Sequence, residues 1–250
     1  MSEKFIFRGY LLLFIALLLS CKPHYDLIKS NRIQYAVNDS IAPDSALIKA
    51  YLPYKNRVDA EMSATIGTAD QALTKASNGE SLLGNFFADA CLSEALRLDN
   101  NIDFAIPSTT GGLRNNLPKG NVSLFHIFEL MPFENELLVL KLKGSSVKEL
   151  LRFIATSGGQ PVSGLKMKID NNAAKDVIIQ NHAFDESKIY HVLTSDYIAG
   201  GGDNTFGMSD PLEKKVLGLK VRDALIQYIK RQTAAGKTIN ATLDGRIIKN

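Results

Sequence analysis

Along most of this chain, apolar residues return either at the three-to-four spacing of a helix or in short runs that suit a strand. The first helical stretch covers Ala42 to Ser63, where Leu47, Ile48, Tyr51, Leu52 and Tyr54 cluster at helical spacing. Pro43 sits where a first-turn proline is tolerated, while Pro53 falls inside the stretch and complicates it. Leu83 to Leu98 is a second helix, with Leu83, Phe87, Ala90, Cys91, Ala95 and Leu98 on one stripe and Asp89, Ser93 and Arg97 off it. That pattern makes Cys91 a buried core residue. Ile102 to Ile106, bounded by Asn100-Asn101 and Pro107, suits a strand, as does Leu137 to Leu142. Ser145 is placed to cap a helix running to Ile154, which Gly158-Gly159 ends. Strand-like segments recur at Gly164 to Ile169, Val177 to Gln180 and Ile189 to Ser195, and a last helix covers about Leu219 to Gln232 before Gly236. Helices and strands interspersed in this way predict an α+β fold, a layered α/β sandwich in a single domain.

The N-terminus follows a different pattern. Lys4 and Arg8 precede an apolar run from Tyr10 to Leu19, and Leu18-Leu19-Ser20-Cys21 closes it. A basic start, a short apolar stretch and a small residue before a cysteine fit a lipoprotein signal peptide over residues 1–20, with Cys21 as the lipidated N-terminus. The competing reading is an uncleaved anchor helix over residues 5–19, but a span needs about 20 apolar residues. Residues 21–41 are polar and irregular and read as a tether to a domain over residues 42–250. The expected location is extracytoplasmic, lipid-anchored to a bacterial membrane, at the periplasmic side or the surface of the outer membrane.

Spending Cys21 on lipid leaves Cys91 without a partner, so no disulfide framework is expected and the domain depends on its core. The net charge is +3 and no basic run is interleaved with aromatics, which argues against a nucleic-acid polymer as partner. The histidines offer no dense metal cluster: His24 lies in the tether, His126 and His191 in helical and strand segments as structural residues, and His182 in a solvated loop.

Three loops hold the remaining unusual residues: Thr109-Thr110-Gly111-Gly112-Leu113-Arg114, Met131-Pro132-Phe133-Glu134-Asn135, and Asp196 through Asn204 with its Gly200-Gly201-Gly202 run. Each couples glycine or proline to a side chain able to bind. Taken singly, Phe133 and Tyr197 suit a core as well as a site, and the triple glycine suits a mobile turn. Their joint order, with the Glu80 to Ala90 helix start and Lys143-Gly144, resembles the C-terminal domain of bacterial and animal 5'-nucleotidases over about Ala42 to Asn250. That family also contains UDP-sugar hydrolases and cyclic phosphodiesterases.

The resemblance implies a 5'-nucleotidase C-terminal-like fold that binds the nucleoside part of a substrate, with the base between Phe133 and Tyr197. It implies that Asp203 accepts from ribose hydroxyls, that Arg114 reaches a phosphate or the ribose side, and that Asn135, Gly111 and Gly112 edge the base. Thr109 stands where the family usually has an asparagine facing the ligand, and the family's phosphate-contacting arginines before Glu80-Ser81 have no clear counterpart, since only Lys75 is near. No cofactor is expected in this chain; divalent metals are expected in a separate metallophosphatase polypeptide. The leading expectation is the substrate-binding half of a split nucleotidase. A stand-alone extracytoplasmic nucleoside- or nucleotide-binding lipoprotein, and a decayed domain kept for protein contacts, are the alternatives.

Overall fold

The computed structural model describes residues 26–249 apart from 28 and 77. The expected signal segment and Cys21 lie outside the described residues. The chain divides into two units, residues 1–49 and 50–250. In the first, the described residues before Ser45 form neither helix nor strand and are exposed. Helix α1, Ser45–Met62, starts later than Ala42 because the Asp44 carboxylate accepts from the backbone N–H of Ala46 and Leu47. It buries no residue and carries Pro53 inside. Among the described residues, no helix is long and apolar enough to cross a membrane.

The second unit is built around one mixed sheet. Its strands are β2 (Phe104–Ala105), β4 (Glu136–Lys143), β8 (Ile189–Ser195) and β9 (Glu213–Lys220), in the order β2-β8-β4-β9. β2 runs parallel to β8, while β4 is antiparallel to both β8 and β9. Successive side chains point to opposite faces of a strand, so this sheet feeds two cores. Leu137, Val139, Leu193 and Ala105 join one with helices α2 (Leu82–Ala95), α3 (Leu124–Leu130) and α6 (Val221–Ala234) and the antiparallel pair β1 (Thr65–Ala69) and β3 (Gly120–Ser123). Leu138, Leu140, Val192 and Phe104 join the other, with helix α4 (Gly144–Thr156) and a second sheet of β10 (Ile247–Lys249), β5 (Leu165–Asp170), β6 (Ala173–Ile179) and β7 (His182–Ala183). The architecture is the layered α+β sandwich expected from the pattern.

Several boundaries differ from the sequence reading for local reasons. α2 begins as expected, with Ser81 accepting from the Gly84 N–H at 3.0 Å, but ends at Ala95, and Leu98 is exposed. α4 begins at Gly144, before Ser145, where a Cβ would stand 2.3 Å from the Glu186 carbonyl oxygen. Ser145 is therefore inside the helix and not its cap. The strand at Ile102–Ile106 narrows to Phe104–Ala105, although both flanking isoleucines are buried. β9 takes Leu219 from the expected last helix, which starts at Val221; Gly218, at φ +66°, lies where the β4–β9 register slips between Glu136 and Leu138. Asn171-Asn172 and Gln180-Asn181 all have positive φ and close two-residue hairpins, β5–β6 and β6–β7. His182 is thus an exposed strand residue beside a turn, not a loop residue. Cys91 is fully buried, and desolvation pushes its thiol well up.

An ionic cluster ties the C-terminus to this frame. Arg246 forms a two-pronged contact to Asp89 at 2.7 and 3.0 Å, bonds Asp244 at 2.9 and 3.0 Å, and donates to the Val162 carbonyl at 2.9 Å.

Candidate functional site

The register of the central sheet brings three separate loops to one end. Leu137, just inside β4, pairs with Ser195, the last residue of β8, and Ala105, the last of β2, pairs with Leu193. The chain after β2, the chain before β4 and the chain after β8 therefore meet. They carry Ser108 to Arg114, Phe133 to Asn135, and Tyr197 to Asp203, the last of these through the short helix α5 (Asp196–Ala199). Between them lies a cavity of about 250 Å³ lined by Ser108, Gly111, Gly112, Arg114, Phe133, Asn135, Tyr197 and Asp203.

Each wall has a support. Glu134 is clamped by Lys220 and Arg222, whose hydrogen bonds hold its carboxyl at about 2. Arg222 is almost buried, lies 4.1 Å above the Phe128 ring, and approaches the Phe133 carbonyl at 3.4 Å. With the Asn135 carbonyl accepting from the Val221 N–H at 2.9 Å, these contacts fix the backbone that carries Phe133. The Arg114 guanidinium stands 5.1 Å from the centroid of that ring, a cation–π arrangement. Behind Arg114, Lys75 donates to the Leu113 carbonyl at 2.8 Å, so this lysine tethers the loop and does not line the cavity. Gln160 accepts from the Thr110 N–H at 2.8 Å on the same loop.

On the third loop, the Asp196 carboxylate accepts from the N–H groups of Tyr197 and Glu136, at 2.7 and 3.1 Å. Tyr197 is half-exposed and its hydroxyl donates to Asp203 Oδ1 at 2.9 Å. Gly202 packs on the flat of that ring: a Cβ there would come within 2.5 to 2.6 Å of three ring atoms. The glycine run that reads as a mobile turn is thus, at Gly202, a close approach of backbone to an aromatic ring. Asp203 has left-handed backbone angles of φ 53° and ψ 31°. Its Oδ2 accepts from Thr109, which is buried behind the cavity and not on its wall. Ser108, which sequence reasoning passed over, lines the cavity; its one signal was its place in the chain beside Thr109 at the end of a strand.

The arrangement can stack a flat ring against Phe133 or Tyr197, donate from Arg114 and accept at Asp203. The described histidines lie away from this cavity. His126 Nδ1 accepts from the Ser123 N–H at 3.0 Å and closes the start of α3, His191 contacts Asn101 at 3.3 Å, and His182 is exposed. Among the described residues, no group of three or more His, Cys, Asp or Glu could hold a metal ion.

Comparison with known proteins identifies the family. The family described as 5'-nucleotidase, C-terminal domain, matches residues 62–210. Protein UshA of Yersinia enterocolitica is 26% identical over 214 residues, covering 82% of this chain and 37% of that protein. The NAD 5'-nucleotidase of Haemophilus influenzae is 27% identical over 263 residues, covering 89% of this chain and 43% of that one. The crystal structure of a 5'-nucleotidase precursor from Thermus thermophilus superposes with a TM-score of 0.70 at 26% identity, over 83% of this chain and 44% of that one. The chain spans less than half the length of these relatives. With its layered fold and its family match over residues 62–210, the chain belongs to the 5'-nucleotidase C-terminal domain family.

Proposed function

We propose that this chain is the substrate-binding half of a split 5'-nucleotidase-type phosphohydrolase in nucleotide catabolism, acting with a separate metallophosphatase polypeptide outside the cytoplasm. Phe133 and Tyr197 sandwich the base, Asp203 accepts from the ribose hydroxyls, and Arg114 reaches the ribose or phosphate side. Asn135, Gly111 and Gly112 edge the base. The observation that carries this reading is the convergence of Arg114, Phe133, Asn135, Tyr197 and Asp203, drawn from three loops, on one cavity.

Stacking is worth about 1–3 kcal/mol per base and tolerates any base, so the pocket suits a range of nucleosides. Cleavage needs a metal-activated water and charge neutralisation at phosphorus, whereas His126 is committed to a helix start and His191 to a contact with Asn101. In this reading the metals and the attacking water come from the partner, and Cys21 with its lipid keeps the two chains at one membrane surface.

Phosphate release from AMP tests this. The chain alone, with added divalent metal, is expected to release none; mixed with a metallophosphatase from the same cell envelope it raises that enzyme's turnover, and Asp203→Ala weakens the gain. Metal-dependent turnover by the purified chain alone overturns the division of labour. Binding of AMP with no gain on mixing moves the reading to a stand-alone nucleotide-binding lipoprotein.

A further inference from the structure

Asp203 is held by a residue that stands behind the cavity wall. Thr109 is only 3% exposed, and its hydroxyl donates to Asp203 Oδ2. The same hydroxyl oxygen accepts the Gly112 N–H at 3.2 Å. The other carboxylate oxygen, Oδ1, takes the Tyr197 hydroxyl at 2.9 Å. The left-handed backbone of Asp203 is one that non-glycine residues adopt rarely and that neighbouring contacts must hold in place. A carboxylate offers about four acceptor positions, so after these two bonds each oxygen keeps one. Asp203 lines the cavity, so the spare positions are open to a ligand there. Gly111 leaves the approach free: a Cβ on it would stand 3.6 Å from the Thr109 hydroxyl and 3.9 Å from Asp203 Oδ2.

We propose that Thr109 is a positioning residue which sets the selectivity of the cavity for a vicinal diol over the same ligand with one hydroxyl removed. The proposal rests on the reading that the cavity takes the nucleoside end of a ligand. Two acceptor oxygens fixed side by side match two adjacent hydroxyl donors. Without the Thr109 donor, the carboxylate is pinned at Oδ1 alone and can turn about that bond. A diol then loses one of its two partners, while a ligand with a single hydroxyl loses little.

Calorimetric titration of the full chain with adenosine, 2'-deoxyadenosine and adenine tests this, using Thr109→Val and Thr109→Ser. Valine keeps the shape and removes the donor, and the Gly112 N–H retains the Thr109 carbonyl at 3.1 Å as a partner. The unaltered chain is expected to favour adenosine over deoxyadenosine. Thr109→Val cuts that ratio about tenfold, the scale of one hydrogen bond to a charged group. Adenine affinity stays within about twofold, since a base without ribose does not use the carboxylate pair. Thr109→Ser restores the ratio. Thr109→Ala removes the donor without adding bulk and has to give the same fall if the valine variant does not fold. An unchanged ratio in these variants, with adenosine still bound, overturns the role of Thr109 and leaves the proposed function standing. No adenosine binding by the unaltered chain overturns that reading itself, and the proposal with it.

Discussion

Replacing Gly202 by alanine is expected to damage ligand binding while leaving the fold almost intact. The added Cβ would lie 2.5 to 2.6 Å from three atoms of the Tyr197 ring. Carbon atoms in good contact stand about 3.5–4.0 Å apart, so the ring has to retreat by roughly 1 Å. Tyr197 is 48% exposed, so it can swing outward at little cost. The stability loss is then below about 1 kcal/mol, or about 2–4 °C in Tm for a domain of this size. Binding has more to lose, because the displaced ring gives up its hydrogen bond to Asp203 and its place on the cavity wall. A stacked base is worth about 1–3 kcal/mol, so nucleoside affinity should fall roughly 5- to 150-fold. Calorimetric titration with adenosine and a thermal melt read the two effects separately. Gly200→Ala is the control: its Cβ would meet the Asp196 carbonyl at 3.3 Å and no ring atom, and affinity should stay within about twofold. Unchanged affinity in Gly202→Ala, or a Tm fall well beyond about 4 °C, would refute the reasoning.

Arg246→Ala removes the partner of two carboxylates. Taking one member from a buried ion pair costs about 3–5 kcal/mol, and the roughly 40% exposure of Asp89 and Asp244 lets water recover part of it, so a loss of about 3 kcal/mol is expected in urea melts; a loss under about 1 kcal/mol contradicts the account of how the C-terminus is held. The Glu134 carboxyl, held at about 2 against an ordinary 4.5, contributes stability above the ordinary value that is lost as pH falls towards 2. The stability gap between the unaltered chain and Glu134→Gln should therefore be widest at neutral pH and close in acid, and a gap that widens in acid reverses the sign.

Much of the frame was legible because burial and period coincide. In Leu137 to Leu142, residues on both faces are buried, and the segment reads as an apolar run. In α2 the expected stripe residues Leu83, Phe87, Ala90, Cys91 and Ala95 are buried, while Leu98 falls beyond the helix end. The hairpins at Asn171-Asn172 and Gln180-Asn181 were missed because Asn-Asn and Gln-Asn lack the glycine that usually marks such turns. β9 was missed because its residues are largely exposed and Gly218 breaks its alternation; pairing with β4 supplies what the local pattern lacks. At the site, Arg114, Phe133, Asn135, Tyr197 and Asp203 stand in a sequence order that singles them out, and the structure gathers them. The partnership of Thr109 with Asp203 spans 94 positions and depends on the meeting of two loops, which no periodicity encodes.

The central claim is that this cavity binds a nucleoside between two aromatic rings, and the most direct measurement is a calorimetric titration of adenosine into the chain and its Phe133→Ala variant. Saturable one-site binding is expected for the unaltered chain. Loss of one stacking ring is expected to weaken it by about 1–3 kcal/mol, roughly 5- to 150-fold, with the melting temperature little changed because Phe133 is only partly buried. No binding heat with the unaltered chain, or equal affinity in the variant, would contradict it.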